Sequence, residues 1–155
     1  LHKEYRRQRQ MCIRDSNTID YITIASAGNA TDFGDVTSED TRNSMGVSNN
    51  TRGVIAGGQT PAPSNGTNAI DFLTIATTGN TADFGDLSVG RRRGSGLSNS
   101  IRGVFAGGYN PSAQNTIDYI TIATTGNAKD FGDYSGASIA MTGTGASDSH
   151  GGLSE

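Results

Sequence analysis

The motif Asp-Phe-Gly-Asp occurs three times in the sequence, at Asp32–Asp35, Asp83–Asp86 and Asp130–Asp133. Each copy places two carboxylates three residues apart, and the first copy has the amide of Asn29 nearby. Oxygen ligands of this kind bind Ca²⁺, which takes about six to eight of them. The spacing is not that of an EF-hand loop, however, and the flanking residues are strand-like. We therefore expect these aspartates to cap turns and aid solubility, with no cofactor; a bound calcium ion is the alternative.

No other group of residues in the sequence has the pattern of a catalytic centre. The single cysteine, Cys12, precedes the repeated motifs, and His150 lies near the end of the chain. The glycine-rich runs do not continue into the Gly-Lys-Ser/Thr of a phosphate-binding loop. Asp-Phe-Gly also occurs in protein kinases, but this sequence has no glycine-rich loop, lysine strand or catalytic loop to accompany it. Because a catalytic site needs one group that differs from its surroundings, and the repeats offer nearly identical groups, we expect no enzymatic activity.

The composition favours short strands joined by tight turns over a helical bundle. The chain has 155 residues, of which 33% are hydrophobic and 6% aromatic, with 22 glycines and no tryptophan. It contains no apolar run long enough to span a membrane and no recognisable signal peptide, so we expect no membrane insertion. Residues 17–155 carry a formal charge of −6. Since a nucleic-acid partner requires a clustered basic face, we expect no nucleic-acid binding.

A unit of about fifty residues repeats along the chain. The segments NTIDYITIASAGNATDFGDV (Asn17–Val36), TNAIDFLTIATTGNTADFGDL (Thr67–Leu87) and NTIDYITIATTGNAKDFGDY (Asn115–Tyr134) are nearly identical. A second block, SNNTRGVIAGGQTP (Ser48–Pro61), returns 50 residues later as SNSIRGVFAGGYNP (Ser98–Pro111). We therefore expect units that begin near residues 17, 67 and 115, the last of them incomplete.

Each unit is expected to contain four short strands and no helix. An apolar run ends in a glycine pair at Arg102–Gly108, and a run rich in β-branched and aromatic residues follows at Thr116–Thr124. The residues Thr124–Asn127 suit a hairpin turn because Gly and Asn tolerate positive φ. Two further strands are expected at Asp83–Leu87 and, rich in glycine, at Arg91–Ser100. The predicted fold class is all-β, with four-stranded antiparallel blades of about fifty residues.

Four-stranded units of this length favour a β-propeller, whose blades surround a central channel. The predicted strand at Thr116–Thr124 carries apolar residues on both faces, which indicates that both faces are covered. The chain holds about two and a half blades, whereas a closed propeller has about 4–8. The expectation is therefore a fragment of a propeller; a fibrous β-repeat shaft wound from several chains is the alternative.

From the run RGVFAGG onward, the repeats resemble the kelch unit, in which an apolar strand ends in a double glycine and an aromatic-bearing strand follows. The positions that carry the resemblance are the double glycines Gly57, Gly58, Gly107 and Gly108, the strand aromatics Tyr21, Phe72 and Tyr119, and the anchor aromatics Phe33, Phe84 and Phe131. The anchor is tryptophan in kelch repeats and phenylalanine here. The resemblance implies a kelch-like β-propeller fragment in which these residues have structural roles and the anchors pack between neighbouring blades.

The same repeats are similar to repeats in uncharacterised structural proteins of marine phages, which are regarded as tail-fibre or virion-surface components. The similarity rests on the shared sequence segments NTIDYITIATTGNA, DFGD and RGVFAGG. It implies a location on a virion or an extracellular surface. It also implies partners of three kinds: a host-surface glycan or protein, neighbouring blades of a longer chain, or further copies in a homo-oligomer.

Residues 1–16 belong to no repeat and carry a formal charge of +3. The segment MCIRDS (Met11–Ser16) resembles the translation of a transposon end used in preparing sequencing libraries. We therefore expect residues 1–16 to be a non-native leader and residues 17–155 to be the kelch-like repeat region. A genuine basic N-terminal arm is the alternative.

The loops Gln59–Gly66 and Tyr109–Gln114 differ between the copies, whereas the strands do not. Diversified loops on a repeated scaffold suit recognition. The candidate ligand-binding residues are Gln59, Asn65, Arg91, Arg92, Tyr109 and Asn110. The predicted function is a non-catalytic binding or adhesion module; the alternatives are a purely structural fibre repeat and a non-catalytic part of a propeller enzyme.

Overall fold

The computed structural model describes residues 17–37, 42–60 and 65–135, together with the backbone of residues 147–148. The expected leader, residues 1–16, lies outside the described residues, as does His150. In chain order the strands are β1 (Thr18–Tyr21), β2 (Thr31–Asp35), β3 (Met45–Ser48), β4 (Arg52–Ala56), β5 (Ala69–Thr74), β6 (Ala82–Asp86), β7 (Ser95–Asn99), β8 (Arg102–Ala106), β9 (Thr116–Thr121), β10 (Lys129–Asp133) and β11 (Ser147–Asp148). The described part of the chain contains no helix, so the predicted all-β fold is confirmed.

The strands form sheets that repeat one antiparallel pattern. Strands β3, β4, β5 and β6 are neighbours in chain order, and β7, β8, β9 and β10 repeat that order in the next sheet. β1 pairs with β2 as β5 pairs with β6, and the two-residue β11 joins the free edge of β7 in parallel. We call β1–β2 unit one, β3–β6 unit two and β7–β10 unit three. The predicted four-stranded antiparallel unit is therefore confirmed. The sheets begin at Met45 and Ser95, however, and not near residues 67 and 115, because the strand before each Arg-Gly-Val strand comes first in its sheet.

An asparagine side chain fixes the hairpin between the first two strands of units two and three. The Oδ1 of Asn49 accepts hydrogen bonds from the backbone N–H groups of Thr51, at 2.9 Å, and Arg52, at 2.8 Å. Asn99 makes the equivalent bonds in unit three, to residues 101 and 102 at 2.9 and 2.7 Å. Asparagine favours such turns because its short side chain can bond to the backbone two or three residues ahead.

Each Asp-Phe-Gly-Asp motif forms a β-bulge in the last strand of its unit. In β2, Asp32 pairs with Asp20 and Gly34 pairs with Ile19, so Phe33 is an extra residue with no partner across the ladder. The same shift occurs at the motif phenylalanine of β6 and of β10. The glycine after each phenylalanine has a φ between 140° and 148°, which side chains other than glycine rarely allow.

The hydrophobic core is shared between units two and three. Its buried members are Met45, Val47, Val54, Ala56, Ile70, Phe84 and Leu87 from unit two and the segment after it, and Phe105, Ile120 and Ile122 from unit three and the residue after β9. A core built from two adjacent sheets is typical of repeat proteins, in which no unit can cover its own apolar faces. The described part of the chain has no helix with the length and apolarity that a membrane crossing needs.

Candidate functional site

The bulge in the last strand of unit one is hydrogen-bonded to a turn of unit two. The N–H of Gly79 donates to the carbonyl oxygen of Phe33 at 2.7 Å, and the N–H of Thr81 donates to that of Asp35 at 2.9 Å. The N–H of Asp35 donates in return to Oδ1 of Asn80 at 3.0 Å. Because the bulge frees Phe33 from its own ladder, its carbonyl can point at the next unit. We call this set of three bonds the inter-unit latch.

The same latch joins unit two to unit three. Here Gly126 donates to Phe84 at 2.7 Å and Ala128 donates to Asp86 at 2.8 Å. The N–H of Asp86 donates to Oδ1 of Asn127 at 3.1 Å. The two latches agree within 0.1 Å in all three bonds. The Asp-Phe-Gly-Asp motif and the Gly-Asn turn are therefore the two complementary halves of one repeated contact.

Two features of the motif make the latch possible. A Cβ added to Gly34 would collide with the carbonyl of Gly79, and one added to Gly85 would lie 2.6 Å from the carbonyl carbon of Gly126. Glycine is therefore required for the close approach of the two backbones as well as for the bulge. The phenylalanine beside it is covered wherever a unit follows: Phe33 is 9% exposed and Phe84 2% exposed.

The aromatic residues singled out by the kelch resemblance pair within each unit. Tyr21 meets Phe33, Phe72 meets Phe84 and Tyr119 meets Phe131, each edge to face with ring centroids 5.9–6.0 Å apart. Aromatic pairs favour this geometry because the positive ring edge faces the negative ring face. Phe131, in unit three, differs from the other two anchors, since 59% of its surface is exposed.

The aspartates of the motif lie within β2, β6 and β10, and all but the half-buried Asp35 are exposed. Oδ1 of Asp130 accepts the N–H of Gly132 at 3.0 Å, a contact within the bulge of β10, and the expected turn-capping role of these aspartates stays a prediction. Among residues 17–37, 42–60 and 65–135, no three side chains of Asp, Glu, His or Cys gather as a metal site would require. The absence of a cofactor stays a prediction.

The double glycines turn the chain out of β4 and β8 with positive φ, 62° and 124° at Gly57 and Gly58, and 62° and 119° at Gly107 and Gly108. A Cβ on Gly108 would lie 2.7 Å from the carbonyl oxygen of Arg92, so the segment ahead of β7 packs directly on this turn. The sequence predicts that these glycines end a strand and allow neighbouring backbones to come close. The positive φ values and the short Cβ distance agree with that prediction.

Each candidate ligand-binding loop begins at a pair of backbone hydrogen bonds, and the pair is the same in units two and three. Gln59 and Arg42 exchange hydrogen bonds of 2.7 and 3.1 Å, and Tyr109 and Arg92 exchange bonds of 2.9 and 3.2 Å. The bridge is therefore the same in both units, while the side chain that it presents is glutamine in one and tyrosine in the other. We call the surface formed by residues 59–60, 65–67, 92–93 and 109–115 the loop end.

Most of the predicted ligand-binding residues meet at the loop end. The Arg92 guanidinium lies over the Tyr109 ring, 5.2 Å from its centroid. The side-chain amide of Asn110 donates to the carbonyl of Gly90 at 2.7 Å and thereby holds its loop against the segment ahead of β7. Asn65 is exposed, and its carbonyl accepts the N–H of residue 60 at 3.2 Å. Residues 61–64 of the first loop lie outside the described residues.

Arg91 is placed differently from the other candidates. Its side chain is fully buried, and its NH1 group lies 2.7 Å from Oδ2 of Asp118, whose side chain is also fully buried. Its NH2 group donates to the carbonyl of Phe105 at 3.1 Å. The Arg91 guanidinium therefore lies in the interior, holding β8 and β9 to the segment ahead of β7, and does not face solvent at the loop end.

Sequence reasoning did not find Asp118 or the arginines at the start of β4 and β8. Arg52 lies 4.6 Å from the centroid of Phe72, and Arg102 lies 5.0 Å from that of Tyr119. The sequence does contain a sign of the two arginines, since Arg-Gly-Val recurs in both repeats.

An open groove of about 430 Å³ lies beside Arg102 and Tyr119 and reaches Lys129. It is at the end of β8 opposite to Tyr109, and it is therefore separate from the loop end.

Comparison of the sequence with protein-family models and with the curated proteins gives no match.

Proposed function

We propose that the protein is a non-catalytic binding module, built from kelch-like propeller blades, that recognises a host-surface glycan or protein through its loop end. The observation that carries the proposal is the pair of matching backbone bridges that present different side chains, Gln59 in unit two and Tyr109 in unit three. A constant frame with varied loops is typical of recognition scaffolds. The latches between units support the proposal because they hold neighbouring frames in a fixed relation.

The chemistry of the loop end supports a polar ligand with some apolar surface, such as a sugar. Tyr109 supplies an aromatic ring with a hydroxyl, and it is half-buried with Arg92 over the ring. Asn65 is exposed and offers both a donor and an acceptor. Tyrosine, arginine and asparagine are also residues that protein interfaces favour for contact area and adaptable hydrogen bonding. We therefore assign both ligand classes to this surface and leave the choice to a binding screen.

The location that we propose for the module is a virion or an extracellular surface. This part of the proposal rests on the similarity of the repeats to those of marine phage structural proteins. Under that hypothesis the blades belong to a tail fibre or a related adhesion structure. A purely structural role in the same assembly is the second candidate, favoured by the latch, because a contact that repeats unchanged can extend a fibre.

A binding screen with the 155-residue chain separates the two candidates. The chain is applied to a glycan array and to intact host cells, and any hit is measured again with Tyr109→Ala and Asn65→Ala. A recognition role predicts that each variant weakens binding about tenfold or more, as for residues central to an interface. The matched control is Asn50→Ala, an exposed asparagine in the turn at the opposite end of β4. Equal binding by all variants would place recognition elsewhere, and no binding to any surface would favour the structural role.

A further inference from the structure

The last strand of unit three has the form of a latch half without a partner in the described part of the chain. We propose that this edge docks the unit-one turn of a second copy of this chain, so that copies associate head to tail. The surface is separate from the loop end, and the inference does not depend on the proposed binding function.

The acceptor half of the latch is complete in β10. Its bulge at Phe131 has the same register as the bulges at Phe33 and Phe84, and Gly132 has a φ of 140° against 148° and 143° in the other two units. Phe131 is 59% exposed, whereas Phe33 is 9% and Phe84 is 2% exposed. The space beside Gly132 is open to at least 4 Å. β10 therefore presents an exposed ring and an open backbone edge already in the conformation that the internal latches use.

The turn of unit one has the sequence of the donor half of the latch. Its turn is closed by a hydrogen bond of 3.2 Å from the N–H of Ser26 to the carbonyl of Thr23, and the corresponding turns of units two and three are closed by bonds of 3.1 Å. Gly28, Asn29 and Ala30 occupy the positions of Gly126, Asn127 and Ala128, which bind unit two. All three residues are exposed, but Gly28 lacks the positive φ of 154° and 150° that Gly79 and Gly126 have in the internal latches. The turn therefore has the sequence of the donor half, and docking on another bulge would require Gly28 to adopt the backbone conformation of those two glycines.

A side-chain contact supports the same pairing. Between units two and three, NH1 of Arg52 donates to the carbonyl of Ile122 at 3.0 Å. Arg102 is the equivalent arginine in unit three, and it is exposed while its guanidinium lies over Tyr119. Ile24 is the equivalent of Ile122 in unit one, and 96% of its surface is exposed. In the head-to-tail pair, Arg102 of one copy would meet the carbonyl of Ile24 of the other.

The two halves lie on different surfaces of the chain, so the contact between copies is heterologous. Such a contact produces rings if the rotation closes and open chains if it does not. The occupant that fits best is the chain's own turn, because the same three hydrogen bonds, two between backbones and one to an asparagine side chain, already form twice within the described residues. The described part of unit one offers only β1 and β2 to the contact, so the association is expected to be weaker than the internal interfaces.

Sedimentation velocity of the full chain over a series of concentrations tests the proposal, with reductant present because Cys12 could otherwise cross-link copies. The expected result is an average mass that rises with concentration. Asn29→Ala removes the acceptor of the third latch bond and should weaken association about fivefold. Phe131→Ser removes the apolar anchor and should weaken it about tenfold or more. The matched controls are Asn50→Ala and Val89→Ser, which are exposed residues away from both halves, and neither should change association.

A mixing experiment makes the test specific to head-to-tail geometry. The Asn29→Ala chain keeps its acceptor edge, and the Phe131→Ser chain keeps its donor turn. At a concentration near the wild-type dissociation constant, each variant alone should associate less than the wild type, while an equal mixture should form mainly dimers, because only one unaltered contact is available in it. A wild-type chain that is monomeric at every concentration would overturn the proposal. So would association that both variants leave unchanged. Because Asn29 and Phe131 are exposed, circular dichroism should show that both variants fold.

Discussion

The guanidinium of Arg91 meets the carboxylate of Asp118 at 2.7 Å, and both side chains are fully buried. The second carboxylate oxygen accepts the hydroxyl of Ser88 at 2.6 Å. Asp118 lies in the middle of β9, while Ser88 and Arg91 lie in the segment that leads from unit two to unit three. This ion pair therefore fixes the path of the chain between consecutive units, in addition to the latch.

Removing the carboxylate should destabilise the protein strongly. Asp118→Ala leaves the charge of Arg91 buried without compensation, so we expect the free energy of unfolding to fall by about 3–5 kcal/mol. Urea denaturation followed by circular dichroism measures this change.

Two further variants serve as controls for the ion pair. Asp83→Ala removes an exposed aspartate from a neighbouring unit and should change the free energy of unfolding by no more than about 0.5 kcal/mol. The double variant Arg91→Met, Asp118→Leu replaces the pair with apolar groups and should recover most of the loss. Equal losses for Asp118→Ala and Asp83→Ala would contradict the buried pairing.

The repeated bulge glycines provide an internal comparison between backbone strain and inter-unit contact. Gly85→Ala and Gly132→Ala both introduce a side chain at a φ near 140°, which costs about 1–3 kcal/mol. Only the Cβ at Gly85 would also press on the neighbouring unit, 2.6 Å from the carbonyl carbon of Gly126. We therefore expect Gly85→Ala to lower the free energy of unfolding by at least about 1 kcal/mol more than Gly132→Ala does. Denaturation of the two variants side by side gives the difference, and identical losses would mean that the latch contributes nothing.

The motif phenylalanines allow a comparison of buried and exposed anchors. Phe84→Ala should lower the free energy of unfolding by about 3–5 kcal/mol, because it removes a ring from the shared core. Phe131→Ala changes the equivalent ring of unit three, which is 59% exposed, and should cost about 1 kcal/mol or less in dilute solution. Both values are read from urea denaturation at low protein concentration. If the two costs are equal, the burial of Phe84 between units does not stabilise the fold.

Much of the fold could be predicted from the sequence because the signals are local and occur repeatedly. The β-branched runs, the Gly-Asn turn and the double glycines at Gly57–Gly58 and Gly107–Gly108 each predict a strand or a turn from neighbouring residues alone. The role of the Asp-Phe-Gly-Asp motif was harder to predict. A bulge shifts the alternation by one residue, and the latch that it forms joins Phe84 to a turn more than forty residues ahead.

The buried ion pair could not be predicted from the repeat. Arg91 is the first residue of an Arg-Arg-Arg run, and such runs usually lie in solvated loops. The aligned position in the preceding repeat is Thr41, so comparison of the units gives no sign of a conserved contact. Its partner, Asp118, is 27 residues away on β9. The alternation of side chains along that strand predicts only the face of the sheet on which Asp118 lies. Long-range pairing of this kind depends on how the sheets pack, which local patterns do not contain.

The central claim is that successive units are held together by the latch, which gives the loop end its fixed frame. Amide hydrogen exchange in dilute protein, followed residue by residue by NMR, tests it most directly. The amides of Gly79, Thr81, Gly126 and Ala128 donate across the inter-unit contacts, so we predict that they exchange slowly, at rates close to those of the core strands. The equivalent amides of unit one, at residues 28 and 30, should exchange rapidly. Exchange of the four latch amides as fast as that of residues 28 and 30 would contradict the account.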